Sequence, residues 1–197
     1  MKTTLIFLSN VFILFICSQL YFIMAATETQ TYRIIKKEKD FEIRVYPPAI
    51  MATVSMNAKS YKELSSSGFR KLASFIFGGN EKKESIAMTT PVHMDINDAA
   101  SSMSFVMPAN YTKTSLPKPN DAGINITTSP EEYVAAIQFS GFADDDKIKD
   151  YGIQLENALR ANGIGYFGNF RFLGYNAPYQ VLGRKNEIIV RVVWLEK

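Results

Sequence analysis

The chain has 197 residues, 47% hydrophobic and 21% charged, which describes a single globular domain able to bury a core without disulfides. Its formal net charge is +3, with no basic run and no interleaving of aromatic and basic residues, so the composition speaks against a nucleic-acid partner. One histidine and one cysteine are too few nitrogen and sulfur ligands for a catalytic transition metal, and no metal site is expected.

Residues 1–26 differ from the rest. Lys2 is their sole charge, Leu5 to Ile16 is almost wholly apolar, and small Ala25-Ala26 precedes polar Thr27-Glu28-Thr29. That is the n-region, h-region and exit of a secretory signal, which implies a secreted or periplasmic protein. The apolar stretch runs on to Ala26, so a membrane anchor over residues 5–26 is the alternative, and only its retention would bring the chain to a membrane. Ser9-Asn10 and Ser18-Gln19 interrupt the stretch and favour cleavage, and bulky Ile16 before Cys17 speaks against a lipoprotein. Cleavage removes Lys2 and Cys17, leaving 21 of the 22 basic residues against 19 acidic ones, a charge of +2 and no thiol.

Alternation of Phe41, Ile43 and Val45 with Glu42, Arg44 and Tyr46 predicts a strand, and Met51 to Met56 predicts another after the Pro47-Pro48 break. A helix follows from about Ser60 to Phe77. Ser60 and Glu63 form a capping box, Gly78-Gly79-Asn80 ends it, and Tyr61, Leu64, Gly68, Leu72, Phe75 and Ile76 share its inner face. Ile86 to Met94 and Met103 to Met107 read as strands, and Ala109 to Gly123, with Pro117 and Pro119, as a long exposed loop. Asn110 and Asn125 head glycosylation acceptor triplets, which matter only in a eukaryotic host. After a strand from Tyr133 to Phe139, a second helix runs from about Asp145 to Asn162. Asp144-Asp145-Asp146 suits its positive end, Ile148, Tyr151, Leu155, Ala158 and Leu159 form its buried stripe, and Gly163 stops it. Phe170 to Leu173 and Ile188 to Leu195 read as the last strands. The order strand, helix, strand, strand thus occurs twice, which fits one antiparallel sheet or barrel with two helices on its outside, an α+β solution.

Three patterns carry no chemistry on this reading. Gly163-Ile-Gly165-Tyr-Phe-Gly168 matches a dinucleotide fingerprint but follows a helix and precedes a strand, the reverse of what a pyrophosphate needs. The aspartate run is a helix start. His93 lies in a strand beside Pro91, no G-x-S-x-G elbow accompanies it, and no catalytic residue is assigned.

Two surfaces are more informative. The outer face of the first helix carries Ser66, Ser67, Ala73 and Ser74 with Arg70 and Phe77, so a flat body can approach closely, pair a carboxylate with Arg70 and stack on Phe77. The segment from Gly174 to Asn186 offers Tyr175, Tyr179 and Leu182 as an apolar wall and Arg184 and Lys185 as a cationic rim. That mixture suits an apolar disc with an acidic edge.

Several segments resemble the SOUL haem-binding family, in its order and spacing. They are Phe41-Glu-Ile-Arg-Val-Tyr-Pro47, Gly68-Phe-Arg-Lys-Leu72 with Phe77-Gly-Gly-Asn80, Ile86-Ala-Met-Thr-Thr-Pro-Val92, Gly174-Tyr-Asn-Ala-Pro178 and Arg184-Lys-Asn-Glu-Ile188. The resemblance covers residues 31–197 as one domain. It implies a distorted antiparallel β-barrel flanked by two α-helices and built from two similar halves. It implies binding of haem or another porphyrin on the exterior, with Arg70, Ser74 and Phe77 on one side and Tyr179, Gln180 and Val181 on the other; separately, the chain is expected to be a monomer. Where some members offer a histidine this chain has Val45, so haem is expected to be held by apolar contact and propionate pairing without a strong axial bond. Against this carrier, buffer or scavenger stand two alternatives: an enzyme acting on a tetrapyrrole or a small ester, and a protein-interaction module of the same fold.

Overall fold

The computed structural model describes Asn10 and residues 27–97 and 100–195; all but one residue of the expected signal or anchor lies outside them. The described elements are, in order, β1 (Glu28–Thr29), β2 (Arg33–Lys37), β3 (Glu42–Tyr46), β4 (Ile50–Met56), α1 (Tyr61–Ile76), β5 (Thr89–Thr90), β6 (Val92–Asp95), β7 (Ser101–Val106), β8 (Ile124–Thr128), β9 (Glu132–Ser140), α2 (Asp145–Ala161), β10 (Tyr166–Gly174) and β11 (Lys185–Val192).

Nine strands form one antiparallel sheet in the order β2-β3-β9-β11-β10-β6-β7-β4-β8, and β1 pairs with β5 in a separate short parallel ladder. The expected α+β class with two flanking helices and two similar halves is found. From the central β10–β6 pair outward, each half runs through the strand after its helix, the last strand, and the strand before the helix. The barrel is open, since no pairing joins the outer strands β2 and β8.

Local chemistry accounts for the helices. Ser60 Oγ accepts from the Glu63 amide at 3.2 Å, and Glu63 Oε2 accepts from the Lys59 amide at 2.9 Å, one residue further back than a regular capping box. Gly68 lets α1 approach β7, because a Cβ there would lie 3.2 Å from Met103 Cβ. Past the helix, a Cβ on Gly79 would sit 2.5 Å from the Ser74 carbonyl oxygen, so that turn has room only for glycine. Buried Asn80 then donates to the Phe75 carbonyl (3.0 Å), which the helix end leaves free, and to the Glu84 carbonyl (2.8 Å) in the turn that follows. In α2, Asp144 accepts from the Lys147 amide at 2.8 Å. Asp145 accepts from the Tyr61 amide at 2.6 Å, so the acidic run ties the starts of both helices together.

Alternation along the strands separates two apolar faces. On the helix-bearing face Ala52, Val54, Met103, Phe105, Ala135, Ile137, Phe172, Ile188 and Val190 join Leu64, Leu72, Leu155 and Leu159 in the main core. On the other face Tyr46, Val134, Ala136, Leu173 and Ile189 form a smaller cluster under Tyr32 and Tyr175. Both faces of β3 are therefore covered, and Arg44 and Tyr46 are buried as Ile43 and Val45 are. The predicted strand over 86–94 is shorter, being split into β5 and β6 around Pro91. The last strand ends at Val192, while β1, β2 and β8 were not expected.

Arg44 pairs in the second cluster with Glu187, Nη1 to Oε2 at 2.8 Å and Nη2 to Oε1 at 3.1 Å, and its Nε donates to Glu42 Oε2 at 2.9 Å. Glu187 is 0% exposed; it also accepts from the Tyr175 hydroxyl at 2.7 Å and meets Lys185 Nζ at 3.1 Å. Burial alone would raise the Glu187 carboxyl, but bonds from Arg44 and Tyr175 and the nearby cations hold it below the ordinary carboxylate range. Burial first, then the Glu187 charge, pushes Tyr46 up to about 12. Removing one partner of such a pair strands the other. Glu187→Gln should therefore cost ~3–5 kcal/mol in urea unfolding at neutral pH, and the double change Arg44→Met with Glu187→Leu should recover most of that loss. A loss within about 0.5 kcal/mol for the single change would show that the pair is not isolated from water.

Candidate functional site

The outer stripe of α1 is built by helical spacing. Arg70, Ser74 and Phe77 follow at intervals of four and three residues, and the spacing sets Ser66, Ser67 and Ala73 on the same side. Its counterpart, the inner stripe of Leu64, Gly68, Leu72, Phe75 and Ile76, is fully engaged in the core, so the outer stripe is what α1 presents to solvent. Arg70 and Ser74 line a cavity of about 500 Å³ together with Lys71, Gly79, Asn120 and Asp121. Lys71 Nζ reaches Asp121 Oδ2 at 3.8 Å, whereas Arg70 forms no ion pair among the described residues. Phe77, at the end of the stripe, is 64% exposed.

The second expected wall lies between β10 and β11. Tyr179 is 71% and Val181 66% exposed, while Gln180 is half-buried. Phe77, Tyr179, Gln180 and Val181 do not line the cavity that holds Arg70 and Ser74. Arg184 holds this loop together, donating from Nη1 to the carbonyls of Ala177 (2.9 Å) and Gln180 (2.7 Å). Its guanidinium lies 4.5 Å from the centroid of the Phe142 ring. Burial raises the Tyr61 hydroxyl, and the Arg184 charge opposes that rise, which sets the loop beside the first turn of α1. Arg70 is nine residues further along the helix, ~13 Å from that turn.

The cationic rim expected of this loop is thereby corrected. Arg184 is occupied by the loop's own carbonyls, and Lys185 lies over the Tyr175 ring at 4.1 Å and pairs with Glu187. Arg70 is left as the free guanidinium of the two surfaces. Sequence reasoning also missed Phe142, half-exposed under Arg184, and the Asn120-Asp121 wall. Both belong to segments remote in sequence from the surfaces they join, and no periodicity points to them.

His93 is buried on the sheet face away from α1. Its Nε2 lies 2.7 Å from Gln30 Oε1, its Nδ1 has no hydrogen-bond partner among the described residues, and burial, aided by the Arg171 charge, lowers it to about 3. Among the described residues no group of three or more His, Cys, Asp or Glu side chains could hold a metal ion. Among the same residues, no helix is long and apolar enough to cross a membrane.

An open, two-helix α+β barrel with a small-residue stripe on one helix defines the class of fold. Residues 27–191 match the family described as SOUL heme-binding protein, and the chain belongs to that family. It is 29% identical over 156 residues to heme-binding protein 2 of Mus musculus, covering 75% of this chain and 76% of that one. It is 26% identical over 187 residues to heme-binding protein 1 of the same species, covering 89% and 95%. Among solved structures, the C-terminal domain of EcmrR superposes with a TM-score of 0.59 at 12% identity, over 83% of this chain and 99% of that one. A hydrolase from Listeria innocua gives 0.56 at 11% identity, over 81% and 94%. At such identities these two share the fold alone.

The state of His93 makes stability depend on pH. Folded, it stays neutral down to about pH 3, whereas unfolded it takes up a proton below about pH 6.5. Between those values the unfolded chain binds more protons, so the contribution is complete above about pH 6.5 and is lost as pH falls through the window. Thermal unfolding should show a lower Tm at about pH 4.5 than at about pH 7.5, and His93→Gln should flatten that slope by up to ~1.4 kcal/mol per pH unit. An unchanged slope in the variant would show that His93 is not the source of the loss.

Proposed function

We propose that this chain binds haem, or a related tetrapyrrole, on the outer stripe of α1 and acts as a monomeric carrier, buffer or scavenger without enzymatic turnover. The observation that carries the reading is Arg70: an exposed guanidinium with no ion pair, on a stripe of small side chains, in a member of a family described as heme-binding. Relatives whose chains are covered by 76% and 95% bear the name heme-binding protein. The residues fit the group. Ser66, Ala73 and Ser74 let a flat macrocycle lie near the helix, Arg70 suits a propionate, and exposed Phe77 supplies aromatic contact, whereas Tyr179 belongs to the loop beside the first turn of α1, ~24 Å along the helix from Phe77. Gln180 and Val181 belong to the same exposed loop as Tyr179. The iron, when present, would supply the group's optical signature, and the chain's part is to pair its acidic edge and cover its face. Axial ligation by His93 is disfavoured, because that ring is buried across the sheet from α1.

Binding outside the cytosol follows if residues 1–26 act as a secretory signal, with a membrane-anchored form over residues 5–26 as the alternative. N-terminal sequencing of exported protein distinguishes the two, since a mature start near Ala26 or Thr27 requires cleavage. Asn110 and Asn125 are both exposed, as carbohydrate acceptors in a eukaryotic secretory route would need to be.

Haem titration followed by Soret absorbance tests the site. Saturable 1:1 binding is expected. Arg70→Glu should weaken it by about tenfold or more, by reversing the charge that meets a propionate, and Ser74→Trp should weaken it by filling the stripe. A folded protein that neither colours with haem nor quenches its fluorescence with other porphyrins would reject the reading. Equal affinity in both variants would move the ligand elsewhere on the molecule.

A further inference from the structure

The cavity beside the outer stripe of α1 is walled by two stretches far apart in sequence, the second half of α1 with Gly79, and residues 120–124. Backbone bonds fix the one against the other. The Asn120 amide donates to the Gly79 carbonyl at 3.0 Å, and Gly79 itself packs on the Ser74 backbone with no room for a Cβ. At the far end of the loop the Ile124 amide donates to the Asp121 carbonyl at 3.1 Å, and Ile124 is buried in the main core. Asp121 therefore stands on a stapled turn. Its Oδ1 accepts from the Gly123 amide at 2.8 Å, the bond that aspartate makes to the backbone two residues ahead in such turns. Its Oδ2 lies 3.8 Å from Lys71 Nζ.

The charged side chains lining this cavity are Arg70, Lys71 and Asp121, and two cations against one carboxylate leave it a net charge of +1. Because Lys71 and Asp121 offset one another, that charge resides on Arg70, which has no ion pair among the described residues. Lys71 and Asp121 are 48% and 43% exposed, so their pairing is of the weak, water-screened kind that a substitution can rearrange. Phe75 and Ile124, both buried, give the cavity its apolar lining.

We propose that Asp121 sets the number of carboxylates a tetrapyrrole can bring to this cavity. By neutralising Lys71 it leaves Arg70 as the receiver of one acidic group. The inference rests on the haem reading and deepens it. The ligand class favoured is a tetrapyrrole with its acids gathered on one edge, one in the cavity and the other in water, over a tetrapyrrole with a carboxylate on every pyrrole ring. The charges of Lys71 and Asp121 cancel only while both are present, so removing either uncovers the other. Asp121→Asn keeps an acceptor for the Gly123 amide and frees the ammonium for a second carboxylate, whereas Lys71→Gln leaves the Asp121 charge unopposed.

The test is quenching of the fluorescence of Trp194, the single tryptophan, in full-length protein titrated with protoporphyrin IX, a dicarboxylate, and with coproporphyrin III, a tetracarboxylate. Wild-type protein is expected to bind protoporphyrin IX more tightly. Asp121→Asn should raise the affinity for coproporphyrin III relative to protoporphyrin IX by about threefold or more, Lys71→Gln should lower that ratio, and the double variant should return it to about the wild-type value. Each shift should shrink in about 1 M salt. A ratio unchanged in Asp121→Asn overturns the proposal, as does a gain that survives in the double variant, and as does wild-type protein that prefers coproporphyrin III. In each of these outcomes tetrapyrrole binding itself still stands. Folded wild-type protein that binds neither porphyrin rejects the haem reading, and this inference falls with it. If circular dichroism shows Asp121→Asn unfolded, Lys71→Gln decides: a ratio equal to or above that of wild type contradicts the proposal.

Discussion

The contact on which the rest of the structure depends is the buried pairing of Arg44 with Glu187, which reaches from β3 over β9 to β11 and joins residues 143 apart in sequence. Two charges out of water gain little over a well-packed apolar pair, but either one left alone is heavily penalised. The pair therefore acts on register. Slipping β3 by one residue against β9 would turn Arg44 toward the helix-bearing face and leave Glu187 without its guanidinium. Tyr175 and Lys185 add a hydroxyl and an ammonium to the same carboxylate, and the Tyr32 ring lies 4.2 Å from the Arg44 guanidinium, so β2, β10 and β11 are drawn into the same arrangement.

This pairing recasts the segments by which the family is recognised. Phe41 to Pro47 supplies Arg44 and Tyr46, Gly174 to Pro178 supplies Tyr175, and Arg184 to Ile188 supplies Lys185 and Glu187. Three separated motifs thus meet at one buried site. The others behave alike: Asn80 after Gly78-Gly79 closes the end of α1, and Thr89 donates to the Val106 carbonyl at 2.6 Å. The strongest sequence signals of the family are therefore joints of the fold. The outer stripe of α1 contributes little to those joints, and serines can occupy it without loss of the barrel.

The same division explains what could be read from the sequence. Both helices announce themselves, because Ser60 with Glu63 and Asp144 before an amphipathic run are local signals, and Gly163 adopts the positive φ of 65° that a helix stop favours. The strands β4, β7 and β9 alternate or run apolar and are also local. By contrast, Arg-Ile-Ile-Lys-Lys in β2 and Ile-Asn-Ile-Thr-Thr in β8 are outer strands, mostly exposed, whose pairing is set by neighbours remote in sequence. Arg44 and Glu187 each look like a surface charge until the sheet brings them together. Of the candidate face, the exposed stripe through Arg70 follows from helical spacing, whereas the commitment of Arg184 to its own loop depends on a turn that composition does not specify.

A sheet buried on only one side would need no ion pair at its outer strands. Here the second half of the sheet carries apolar residues on both faces, Val134 and Ala136 on one and Ala135 and Ile137 on the other, while β6 keeps Val92 and Met94 on the core face and His93 and Asp95 on the opposite one. The face away from the helices therefore changes along the sheet, from a small core locked by Arg44 and Glu187 to a cavity lined by His93, Asp95 and Ser102. The locked part fixes β9 and β11, and β11 in turn positions Arg191 at the cavity, two residues beyond buried Ile189 on the same face. The helix-bearing face is closed by α1 and α2, so a ligand for α1 can lie only on its outer side. The fold thus separates two exposed surfaces by one packed layer, and the rigidity of that layer is what lets each vary without the other.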